Sequence, residues 1–220
     1  MTAWPTRRCS PLSTPSPADM PCQRYAAGIA LLAASVCVGD ASAGHGLINS
    51  FADIEWLPAP GVTPDAAHYP LDLAQEAAAL RLTRAPAARL ALLRAQARER
   101  LAELDAMVRA RRPADAQQAT DGYAAALRGI RQMLESAPEP ARDRLYAEEL
   151  LAHQYMLSTN YLDLPRDSRQ SIAPMIALAR EHYATLSARL PQRTRDALFF
   201  KEEEVRWSWE MAVAADEQGL

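Results

Sequence analysis

The chain has 220 residues and a formal net charge of −3, and it is 49% hydrophobic but only 6% aromatic. A mildly acidic chain lacks the dominant basic surface that nucleic-acid binding needs, so no nucleic-acid partner is expected. All three cysteines (Cys9, Cys22 and Cys37) precede any plausible domain, which leaves the remainder without disulfide or thiolate chemistry.

At the amino terminus, residues 25–38, "YAAGIALLAASVCV", form an apolar run followed by "GDASA" and Gly44. A basic start, a short apolar core and a small-x-small end read as a secretory signal peptide over 1–43, cleaved after Ala43. The run falls short of the roughly 20 residues that span a bilayer, so no transmembrane segment is expected in the mature chain. Met20 followed by "PCQR" reads equally well as the beginning of an ordinary signal peptide, which makes Met20 an alternative start. Export to the periplasm or beyond is the expected localisation. Cleavage removes three arginines and two aspartates and leaves a net charge of −4 on 177 residues, a length suited to one domain.

Residues 44–70 contain a short apolar piece and then "PAPGVTPDAAHYP", whose prolines and glycine read as an extended arm. From Leu71 onward the prolines at 86, 113, 138, 140, 165 and 191 mark helix starts, because proline is tolerated in a first turn and disfavoured further in. Apolar residues recur at helical spacing between them. Leu90, Leu93, Ala97, Leu101, Leu104 and Val108 make one stripe, and Tyr123, Leu127, Ile130 and Leu134 make a second. Ile172, Ile176, Ala179, Tyr183, Leu186 and Leu190 make a third, with Pro174 either in the first turn or at a kink. No segment alternates with the period of a strand. The expected fold is all-α, an antiparallel bundle of about five or six amphipathic helices over 71–220.

Two stretches carry a family likeness. "HYPLDLAQEAAALRLTRAPAARLALLRAQARERLAEL" (68–104) and "EELLAHQYMLSTNYLDLPRDSRQSIAPMIALAREH" (148–182) resemble an uncharacterised domain family of exported bacterial proteins. Its members have a Tyr-Pro-Leu start, a proline-alanine-arginine turn and a long Arg/Glu/Leu helix. The likeness spans roughly residues 65–190 and implies a helical, exported, non-catalytic module.

The chemical candidates are few. On a helix, Tyr146, Leu150, His153, Leu157, Tyr161 and Leu164 share one face, which puts His153 in the middle of an apolar stripe. The favoured reading is a core histidine bonded to a tyrosine or a carbonyl. The alternative is a copper-type or small-ligand site in which His153 and Met156 are joined by His182 on the next helix. A second metal candidate is His45, because cleavage after Ala43 would leave Gly44-His45-Gly46 at a free amine. Glu149 and His153 lie four apart, without a second copy, so the Glu-x-x-His pairs of di-iron bundles are absent. No phosphate loop and no nucleophile elbow occurs, and "KEEE" (201–204) reads as a solvated face, so neither an enzyme nor a resident cofactor is expected.

Charge divides along the chain. Residues 86–112 carry net +4 and residues 196–217 net −5, a pattern that suits either pairing inside the bundle or steering of a partner. Phe199, Phe200, Trp207 and Trp209 crowd the acidic segment and spread around its helix; either the helix caps the bundle and buries them, or some reach the surface as candidate partner contacts. The function expected is interaction with another envelope protein, self-association, or a structural role in the envelope.

Overall fold

The computed structural model describes residues 57–218, and among these every regular element is a helix. The signal peptide expected at 1–43, the start of the arm and His45 lie outside the described residues. Seven helices follow one another: α1 (Tyr69–Leu82), α2 (Pro86–Arg109), α3 (Pro113–Ser136), α4 (Pro140–Asp163), the single turn α5 (Arg166–Arg169), α6 (Ala173–Ser187) and α7 (Gln192–Glu217). None is long and apolar enough to cross a membrane.

Proline punctuation sets the helix starts. Pro70, Pro86, Pro113, Pro140 and Pro174 all lie in first turns, where the missing N–H would have no intrahelical partner anyway. Pro174 therefore begins α6 and does not kink it. None of these helices has a side-chain N-cap, so the fixed φ of proline does the work of starting them. Helix α1 begins two residues before the expected boundary because Tyr69, the one buried residue of that helix, turns into the body of the protein.

Helix α2 ends in a Schellman motif. Arg112 N–H reaches the carbonyl of Met107 and Arg111 N–H that of Val108, each at 2.9 Å. The motif needs a left-handed residue, and here it is Arg111 at φ 57°. The reversal folds α3 back along α2: Gly122 meets Arg100 and Gly129 meets Leu93, an antiparallel register.

The packing is a small two-layer array. Helix α4 is the shared neighbour of α2, α6 and α7, and α3 packs on both α2 and α6. Glu148–Lys201 and Tyr161–Asp216 contacts show that α4 and α7 run parallel. With connections of three or four residues at 110–112, 137–139 and 188–191, the chain reverses at each step, so α2, α4 and α7 run one way and α3 and α6 the other. The three expected apolar stripes are buried throughout, as is the α4 stripe from Tyr146 to Leu164. Burial of α4 extends to Leu151, Ala152, Gln154, Ser158 and Asn160, which follows from its position among three long helices.

Candidate functional site

Helix α7 carries large apolar side chains on two opposite faces. Leu198, Val205 and Ala212, seven residues apart, point into the core. On the outer side Phe199, Phe200, Trp207 and Met211 are 51%, 79%, 65% and 51% exposed. At 100° per residue, Phe200, Trp207 and Met211 fall on one line almost opposite the buried stripe. The rings of Phe199 and Phe200 meet edge to face at 5.5 Å between centroids. Of the four aromatics the sequence singled out, Trp209 turns inward. Two residues beyond Trp207 it faces the far side of the helix, where its ring packs edge-on against Tyr161 at 5.0 Å. Trp209 therefore belongs with the core, and Met211 takes its place on the outer stripe.

Charged side chains of α7 are partly engaged by the body of the protein. Glu148 on α4 accepts from Lys201, Tyr183 on α6 donates to Glu202 at 2.9 Å, and Asp216 takes Tyr161, Arg166 and Arg169. The arginines of the basic segment pair elsewhere, Arg94 and Arg98 of α2 with Glu149 of α4, and Arg112, just beyond α2, with Asp65 and Asp115. Among the described residues no ion pair joins the basic helix to the acidic one, so internal pairing of the two segments does not account for their charges.

The two bundle histidines occupy different environments. His153 is fully buried, with Nδ1 hydrogen-bonded to the Tyr123 hydroxyl at 3.1 Å and Nε2 3.9 Å from Glu149 Oε1. Burial, reinforced by the nearby Arg98 and Arg94 charges, holds its pKa down at about 3, so the ring is neutral. Met156, one turn on, is half-buried. His182 is also buried, and neither of its ring nitrogens has a hydrogen-bond partner. It faces a cavity of about 10 Å³ between α3, α4 and α6, beside Tyr146, Leu134 and Leu186, with Arg131, Glu135 and Arg189 at the rim. That volume suits one water molecule and no metabolite. Burial, then the Arg131 charge, lowers the pKa of His182 as well.

A third polar cluster, at the α1–α2 contact, went unread in the sequence. Arg100 is 2% exposed and Glu103 is wholly buried. Tyr69 donates to Glu103 at 2.9 Å, and Arg100 donates to the Tyr69 hydroxyl and to Glu76. The guanidinium also lies 3.1 Å from the second Glu103 oxygen and 4.0 Å from Asp72. Gly122 of α3 makes room for it, since a Cβ there would lie 2.8 Å from Arg100 Cδ. Burial raises both Glu76 and Glu103 to about 7, against the pull of the Arg100 charge. Asp72, Glu76 and Glu99 bring carboxylate oxygens within 4.8 Å of one another, and this set includes neither histidine. In sequence these residues look like an ordinary Arg/Glu helix surface. Only Arg100 and Glu103 flanking the Ala97–Leu104 stripe hinted at their burial.

Comparison with protein families places part of this architecture. Residues 61–166 match the family model Domain of unknown function (DUF5667). The match begins before α1 and ends at the first residue of α5, so it takes in the α1–α2 cluster, His153 and Tyr123. It bears out the likeness to an uncharacterised family. His182 and the outer face of α7 lie beyond the matched residues. Neither curated proteins nor solved structures match the chain.

Proposed function

We propose that this protein is an exported, non-catalytic helical module of the cell envelope that works by holding another protein on the outer face of α7. One observation carries the reading: Phe199, Phe200, Trp207 and Met211 stand out on a helix whose opposite side already fills its place in the core. Aromatic residues and methionine exposed together are what interface cores are made of, and among the described residues nothing packs over them. The short apolar signal-like run at 25–38 supports export. The copper-type or small-ligand reading has less behind it, because His153 already spends Nδ1 on Tyr123 and His182 faces a water-sized cavity.

The test is an exchange of partners in the protein's own compartment. Wild-type chain and a Phe200→Asp/Trp207→Asp variant are crosslinked in intact cells and compared. The reading expects a discrete crosslinked protein species that the variant fails to form. An identical pattern for both chains, with both folded, would contradict it.

A further inference from the structure

The outer stripe of α7 has the spacing of a helix-packing seam. Phe200, Glu204, Trp207, Met211 and Ala214 step by four, three, four and three, the repeat by which one helix packs along another. Within the array, α2 has α3 beside it and α4 has α6, whereas α7 packs along α4 and touches α6 through the Tyr183–Glu202 hydrogen bond. The side of α7 away from α4 is left to Phe200, Trp207 and Met211. Such anchors, a turn or two apart along one line, are how a helix engages an apolar groove or a second helix.

Charge selects among the occupants. Within segment 196–217, Asp216 is met by Arg166 and Arg169. Glu203, Glu204, Glu210 and Glu217 instead accompany the stripe with a single cation, Arg206, which pairs with Glu203 and Glu210, so the face keeps an acidic excess. Two α7 faces brought together would set acid against acid, which disfavours a second copy through this face. The chain's own basic helix, α2, is also unsuited, because its apolar stripe from Leu90 to Val108 is already buried against α3 and α4. Resting on the interaction reading above, we infer that the α7 face receives an amphipathic helix of another protein, one whose apolar stripe is flanked by lysine or arginine. Its leucine-like side chains would seat between Phe200, Trp207 and Met211. Its cations would meet the glutamates and the exposed faces of the aromatic rings.

The experiment titrates the full chain with three labelled synthetic peptides. The first is a helix with leucine at 3–4 spacing flanked by Lys and Arg, the second has Glu in place of those cations, and the third scrambles the first. The inference expects the basic helix to bind at least about tenfold tighter than the other two, more weakly as salt rises. It also expects that binding to be lost with Phe200→Asp/Trp207→Asp. Equal binding of the basic and acidic helices, both lost in the variant, would overturn the charge selection and leave the interaction face standing. Failure of all three peptides would overturn the inference, and a wild-type dimer absent from the variant would show a second copy to be the occupant. Undiminished binding by the variant would overturn the inference and the interaction face together.

Discussion

At the scale of single residues, a buried imidazole and a buried carboxyl group respond to pH in opposite directions, and this fold holds both. His153 has its pKa at about 3, far below the ordinary 6.5, so the unfolded chain binds a proton that the folded chain refuses. Its contribution is complete above about 6.5 and is lost as pH falls towards 3. Glu76 and Glu103 sit at about 7 against an ordinary 4.5, so the folded chain keeps protons that the unfolded chain has released. Their contribution is complete below 4.5 and is lost as pH rises through 7. Thermal unfolding followed across pH should therefore show greatest stability between these limits. Glu103→Gln should flatten the decline on the alkaline side. His153→Gln should shrink the decline on the acid side without removing it, since Tyr161 and Arg169 hold Asp216 below its ordinary range. A profile unchanged by both substitutions would count against these assignments. Gly122 gives a sharper steric test. Alanine normally stabilises a helix interior by about 1 kcal/mol over glycine. Here the new methyl would press on Arg100, whose guanidinium is fixed by Tyr69, Glu76 and Glu103. Gly122→Ala should instead destabilise by about 1–3 kcal/mol in urea unfolding.

At the scale of the element, helix ends and helix faces respond separately. Arg111 adopts the left-handed conformation that closes α2, a conformation glycine adopts without cost. Arg111→Gly should raise stability by up to about 1 kcal/mol, read as a higher midpoint in urea at unchanged slope. A loss of stability would mean that the arginine side chain contributes more than its backbone costs. On α7 the prediction is the reverse of a core substitution. Phe200→Asp and Trp207→Asp should each change folding stability by no more than about 0.5 kcal/mol, because both side chains already stand in solvent. Leu198→Ala or Val205→Ala, on the buried face of the same helix, should cost about 1–4 kcal/mol. Equal effects on the two faces would show that the aromatics are part of the fold.

At the scale of the whole molecule, periodicity made the architecture readable. The stripes from Leu90 to Val108, Tyr123 to Leu134 and Ile172 to Leu190 are all buried, and the prolines stand where the helices begin, because apolar spacing and proline geometry act locally. His153 as a core histidine was readable for the same reason: its neighbours at helical spacing are apolar. The α1–α2 cluster was not, since Arg100 and Glu103 are buried by Tyr69, more than thirty residues away, and nothing local distinguishes them from the surface arginines around them. The α7 aromatics stood between these cases. Composition drew attention to them, but only their placement separates Trp209, packed on Tyr161, from Phe200 and Trp207 on the outer line. The account then rests on what that outer line holds. Native mass spectrometry of the protein recovered from its own compartment, without chelators, tests this most directly. The account predicts a complex with a second protein that disappears in the Phe200→Asp/Trp207→Asp chain. A lone chain carrying a stoichiometric copper or small-molecule mass, lost on replacing His153 or His182, would contradict it.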